Sequence, residues 1–121
     1  TIIGVGIIVQ KALAAANLLS EENISVEVVD PRTLVPLDTE TLIASTAKTS
    51  RVVVAHEAHL RSGPGAEIAA MLAEEAIEYL DGPIRRVGAK NVPLPYNPGL
   101  ERYVLPDVDE MVETVRSFWS S

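Results

Sequence analysis

Apolar and polar positions along this chain alternate between two rhythms. Short runs rich in β-branched residues occupy 1–8, 25–30, 51–56 and 83–88. Each is bounded by turn or capping residues, which is the pattern of a strand. Between them the apolar spacing becomes helical. In the first such segment Ala12, Leu13, Ala16 and Leu19 share a face, while Gln10, Lys11, Asn17 and Ser20 lie elsewhere. The second opens at Asp38, whose carboxylate can accept from the unpaired N–H groups of a first turn, and turns Leu42, Ile43 and Ala47 inward. The third starts near Pro64, where a missing N–H costs nothing. It carries Ile68, Leu72, Ala76 and Tyr79 inward and Glu67, Glu74, Glu75 and Glu78 largely outward. The last, about 108–119, is announced by Asp107 with Glu110 three residues on, a capping-box spacing. Met111, Val112, Val115 and Trp119 form its apolar stripe.

Strands alternating with helices require crossover connections, and these predict a parallel sheet with helices on its faces: an α/β fold. A length of 121 residues suits one domain, 1–121. Residues 89–106 break the pattern, because four prolines in that stretch forbid a regular element through most of it. Tyr96, Leu100, Tyr103 and Leu105 are its anchor candidates, either on the domain's own surface or against another chain.

Composition narrows the chemistry. Cysteine is absent, which removes disulfides and thiolate catalysis. Seventeen acidic against ten basic residues give a net charge of −7. Such a surface repels nucleic acid and anionic membrane and suits a basic protein partner, although it also serves solubility alone. The apolar start has no basic flank or cleavage-like sequence, so it does not read as a signal peptide, and nine residues are too few to span a bilayer.

Candidate chemistry concentrates in 52–67. His56 and His59 flank Glu57 at one residue short of the spacing that places two zinc-binding imidazoles on one helical face. Both are expected to be structural or interfacial. Gly63 and Gly65 precede a helix N-terminus with Arg61 beside them, which fits an anion cradle or merely a tight turn. Gly4 and Gly6, with Asp30 closing the second strand, imitate a dinucleotide fingerprint, but Val9 stands where the third glycine belongs. The stretch reads mainly as a strand–loop–helix joint at the carboxyl edge of the sheet. At the end of the third helix, Glu74, Glu78 and Asp81 follow i, i+4, i+7 and so line one side. Acidic groups near a helix C-terminus oppose the macrodipole. A basic partner would account for them, as would simple solvation.

Three stretches taken together carry a resemblance: 26–38 (VEVVDPRTLVPLD), 51–88 (with HEA, GPGAEI and YLDGP) and 92–107 (VPLPYNPGLERYVLPD). The chain resembles the C-terminal, transketolase C-terminal-like domain of the β subunit of thiamine-diphosphate-dependent 2-oxo acid dehydrogenases, the E1 component, including the pyruvate, branched-chain and acetoin types. The resemblance implies a three-layer α/β/α domain with about four mainly parallel strands in the order 2-1-3-4. It implies a crevice between strands 1 and 3 holding Gly4, Gly6, His56 and Glu57, with Arg61, Gly63 and Gly65 nearby. A family strand before Thr1 is expected to be missing, leaving the edge at 25–30 unpaired, and the chain is expected to be an excised piece lacking the pyrimidine-binding domain. Thiamine diphosphate and Mg2+ are then expected in the parent enzyme and not in this piece, which would hold no catalytic, cofactor or metal residue. The implied role is assembly, with the E1 α subunit, a second E1 β subunit and the basic subunit-binding domain of E2 as partners. Glu74, Glu78 and Asp81 are the docking candidates and Tyr96, Leu100 and Tyr103 the interface-loop candidates. The implied setting is cytoplasmic, or the mitochondrial matrix in a eukaryote. A stand-alone nucleotide- or anion-binding α/β domain is the alternative.

Overall fold

A computed structural model describes residues 1–5, 8–31, 38–59, 64–89 and 108–119. Its elements run β1 (Ile2–Gly4), α1 (Ile8–Ser20), β2 (Val28–Val29), α2 (Thr39–Thr49), β3 (Val53–His59), α3 (Pro64–Glu75), a 3-10 turn (Ile77–Tyr79), β4 (Arg85–Ala89), α4 (Val108–Arg116) and a second 3-10 turn (Ser117–Trp119). The four strands form one parallel sheet in the order β2-β1-β3-β4, as the resemblance implied. Register is fixed by Ile2 opposite both Val28 and Val53, and by Val53 opposite Arg85.

Side-chain alternation along the strands creates two cores. Ile2, Val53, Ala55 and Val87 face α1 and α4, packing with Ile8, Ala12, Ala15, Leu19, Met111, Val112 and Val115. Ile3, Val52 and Val54 face the other way, onto Leu42 of α2 and Ile68 and Leu72 of α3. Residues 52–55, at the start of β3, are all buried, which is why that run is continuously apolar and does not alternate with polar positions. The result is a three-layer α/β/α sandwich.

Several elements differ from the sequence expectation. Helix α1 begins at Ile8 and so shortens the strand expected over 1–8. It buries Ile8, Ala12, Ala15 and Leu19, whereas Leu13 is 46% exposed and Ala16 only half-buried. So many small apolar residues share this helix that spacing alone could not orient it. In α2, Leu42 is buried as expected, but Ser45 and Thr46 take the inner face with it and Ala47 is exposed. Their hydroxyls find partners there: Thr46 Oγ1 donates to the Leu42 carbonyl at 2.8 Å, and Ser45 Oγ donates to Glu27 Oε2 at 3.0 Å. Ser45 Oγ also lies 2.7 Å from Thr1 Oγ1, tying α2 to the start of β1. Strand β3 runs on to His59, past the expected end at His56. Helix α4 stops at Arg116, and Trp119 is 56% exposed, its ring covered by the Arg51 guanidinium at 4.7 Å.

The helix ends explain their own positions. Asp38 caps α2 as expected, Oδ1 accepting from the Thr41 N–H at 3.2 Å and Oδ2 from the Thr41 hydroxyl at 2.7 Å. These bonds favour the ionised form and hold the Asp38 carboxyl below its ordinary pKa. Ser50 closes the same helix in the left-handed region, φ 64°, its N–H donating to the Thr46 carbonyl. Arg116 grips Glu22 through two hydrogen bonds, at 2.9 and 2.6 Å, and Glu113 through a third at 2.8 Å, pinning α4 to the turn after α1. Asp107 and the anchor candidates Tyr96, Leu100, Tyr103 and Leu105 lie outside the described residues.

Candidate functional site

Two regions concern function: the carboxyl edge of the sheet and the corner after α3. At the carboxyl edge β1 and β3 pair as far as Gly4 and Ala55. The ladder between β3 and β4 then slips, since Ala55 faces Val87 while His59 faces Ala89. Four residues advance on β3 while two advance on β4. The register of the ladder therefore shifts across the stretch containing His56 and Glu57. Gly65 is buried in the first turn of α3. Gly6, Arg61 and Gly63 lie outside the described residues, so the crevice is described only in part.

Packing accounts for Gly4. A Cβ placed on it would sit 3.2 Å from Val9 Cγ2 and 3.4 Å from Val9 Cα. The missing side chain lets β1 approach α1, and nothing in this geometry requires a nucleotide.

The corner after α3 differs from its sequence expectation. Glu74, Glu78 and Asp81 do not form a single helical stripe, because α3 ends at Glu75 and one 3-10 turn follows. Ala76 leaves helical geometry at φ −128°, and Leu80 is extended. The Asp81 N–H then donates to the Ser50 carbonyl at 2.9 Å, clamping the corner to the α2–β3 turn. Tyr79, expected inward, is 39% exposed for the same reason: the helix that would have aimed it at the core has already ended. Glu74, Glu75, Glu78 and Asp81 are all exposed, and Ile77 stands among them 66% exposed. Beside them runs a groove of about 770 Å3, floored by the outer alanines of α3, including Ala66, Ala70 and Ala73, and walled by Leu80, Pro83 and Ile84. Sequence reasoning found the charges and missed this apolar floor, whose only signal was the run of alanines Ala66, Ala69, Ala70 and Ala73 before Glu74.

The profile of the family described as "Transketolase, C-terminal domain" matches residues 1–111. The chain belongs to this transketolase C-terminal domain family. It is 46% identical over 116 residues to the "Pyruvate dehydrogenase E1 component subunit beta" of Rickettsia felis, a match covering 96% of this chain and 36% of that protein. It is 45% identical over 105 residues to the mitochondrial "Pyruvate dehydrogenase E1 component subunit beta-2" of Oryza sativa subsp. japonica, covering 87% of this chain and 28% of that one. Among solved structures it is similar to "Split gene transketolase, inactive beta4 tetramer", with a TM-score of 0.81, 33% identity, and coverage of 96% of this chain and 36% of that chain. This transketolase C-terminal domain thus spans about a third of the length of the curated relatives it matches. Among its described residues no helix is long and apolar enough to cross a membrane.

Proposed function

We propose that this chain is the C-terminal assembly domain of an E1 β subunit in a pyruvate-type 2-oxo acid dehydrogenase complex. In this role it contributes no catalytic residue. It associates with an E1 α subunit or its equivalent and with a second E1 β subunit, and it docks the basic subunit-binding domain of E2. The parent enzyme carries out thiamine-diphosphate-dependent oxidative decarboxylation and acyl transfer to lipoyl. Thiamine diphosphate and Mg2+ belong, on this reading, to parts of that enzyme beyond this domain. Among the described residues no three His, Asp or Glu side chains gather where they could hold a divalent cation.

The observation that carries the docking role is the corner after α3. Four exposed carboxylates fall within eight residues together with an exposed isoleucine, and one of them, Asp81, lines the adjoining apolar groove, as does Arg86. Charge at the rim steers a basic partner, and the apolar centre holds it after encounter. The relatives' names and the net charge of −7 support the same reading.

Binding of a cognate E2 subunit-binding domain, followed by surface plasmon resonance, tests it. Reversing Glu78→Lys together with Asp81→Lys is expected to weaken binding mainly through the association rate, because both side chains are exposed rim charges. Wild-type affinity is expected to fall as salt rises, since exposed charges are screened beyond about 8 Å at physiological ionic strength. An unchanged association rate at low salt, in a double variant with wild-type circular dichroism, means that the partner docks elsewhere.

A further inference from the structure

Asp81 and Gly82 are the chain's single Asp-Gly pair, and no Asn-Gly pair occurs in it. They make the bend between the 3-10 turn at Ile77–Tyr79 and β4. The Asp81 N–H is tied to the Ser50 carbonyl at 2.9 Å, and backbone pairing resumes where the Arg85 N–H donates to the Val52 carbonyl at 3.1 Å. The peptide joining Asp81 to Gly82 has no such tie. Among the described residues neither the Asp81 carbonyl nor the Gly82 N–H has a hydrogen-bond partner, and Pro83 has no N–H to offer. The Asp81 side chain is exposed, and its carboxylate is likewise unpaired among those residues. Packing does not require glycine at 82, because an added Cβ would meet nothing within 4 Å. The other described aspartates lack this combination. Asp30 precedes Pro31, whose nitrogen carries no proton. The Asp38 carboxylate is engaged by Thr41, and Asp109 lies inside α4 with Glu110 after it.

We infer that Asp81 is a modification site, where the chain rearranges spontaneously to L-isoaspartate through a cyclic imide. The Gly82 nitrogen gives up its proton and attacks Cγ of Asp81. An N–Cγ bond forms, and the carboxyl OH leaves with that proton as water. Water then reopens the ring at one of two bonds. Cleavage of the new N–Cγ bond restores aspartate. Cleavage of the original peptide C–N bond leaves the main chain running through Cγ, with the former backbone carbonyl carbon as a free carboxylate. One water leaves and one enters, so the composition is unchanged and no oxidant or reductant takes part. The corner meets each requirement. An unbonded peptide plane can turn to bring the nitrogen onto Cγ, the carboxylate has no partner to leave, and glycine has no side chain to screen its nitrogen. The product carries an extra main-chain carbon between the bonds to Ser50 and Val52. Its free carboxylate lies at an exposed corner, open to the class of methyltransferase that esterifies isoaspartyl groups. This inference is independent of the docking role proposed for the same corner.

The test is to incubate the folded 121-residue chain at neutral pH and body temperature. Isoaspartate is read by an isoaspartyl methyltransferase with labelled S-adenosylmethionine and located by peptide mapping with electron-transfer fragmentation. It is expected to accumulate at Asp81 about ten times faster than at any other aspartate, or more, an order of magnitude for each ~1.4 kcal/mol of barrier that the free peptide plane removes. The folded chain is expected to convert within about tenfold of an unstructured peptide spanning 77–86, because the fold does not hold that plane. Gly82→Ala, which the open space admits without a change in circular dichroism, is expected to slow conversion about tenfold. A folded chain that stays free of isoaspartate at Asp81 overturns the inference. So does conversion spread evenly over the aspartates, or a Gly82→Ala variant that converts as fast as wild type.

Discussion

Leu18 and Leu19 are sequence neighbours of identical composition, and the fold assigns them opposite fates. Leu19 is fully buried against the sheet, within the cluster that includes Ile2, Val53, Met111 and Val115. Leu18 points away, 45% exposed. Truncating Leu19→Ala removes methylene groups worth about 0.8 kcal/mol each on burial and leaves a cavity that the neighbouring strand cannot fill, so the expected cost is about 3 kcal/mol, within the range of roughly 2–5 for such sites. Truncating Leu18→Ala forfeits only the half of its surface that is covered, and alanine's better helix propensity offsets part of that loss, leaving a net change of about 0.5 kcal/mol or less. Urea denaturation followed by far-UV circular dichroism reads the difference. With a slope of about 1–3 kcal/mol per molar urea, Leu19→Ala should move the midpoint down by roughly 1–3 M while Leu18→Ala stays near wild type. Equal losses in the two variants, or the reverse order, would refute this orientation of α1.

Gly4→Ala should lower the melting temperature, because the new methyl would meet Val9 at 3.2 Å, and Val9→Ala in the same chain should recover part of the loss; no loss at all would mean that β1 and α1 are not so closely packed. The Asp38 pKa is lowered in the folded chain by its hydrogen bonds to Thr41, so its contribution to stability is present above the unfolded carboxylate value near 4 and is lost as pH falls through the folded one. The stabilities of wild type and Asp38→Ala, measured by denaturant titration, should therefore converge below about pH 4; a gap that persists in acid would exclude the capping carboxylate as its source. Ser45→Ala should cost about 1 kcal/mol, since it withdraws a hydroxyl partner from Glu27 and Thr1, whereas Thr46→Val should be nearly neutral, because the Leu42 carbonyl it frees keeps its helical bond. Equal costs in chemical denaturation would show that the inter-element bonds of Ser45 carry no special weight.

Legibility in the sequence followed the contrast between neighbouring residues. The strands could be read because 52–55 is an apolar run between Arg51 and His56 and is buried. The face of α3 could be read because Ile68 and Leu72 stand against outward glutamates. Contrast fails in α1, where alanine and leucine occupy every side, and the choice of inner face falls to tertiary packing against Ile2 and Val53. It misleads in α2, where polar Ser45 and Thr46 go inward because partners await their hydroxyls and exposed Ala47 has none to seek. The end of α3 lay beyond local pattern altogether, for it depends on the Asp81 N–H reaching the Ser50 carbonyl thirty-one positions away in the chain. These failures share a physical origin, in interactions that local spacing does not encode. An exposed apolar side chain carries the same local signal as a buried one, so Leu13 looked to the sequence like core although it is 46% exposed. Leu13 is the misassigned position that fits this account, whereas Ala47 and Tyr79 have their causes inside the domain, in the hydroxyl partners of Ser45 and Thr46 and in the early end of α3.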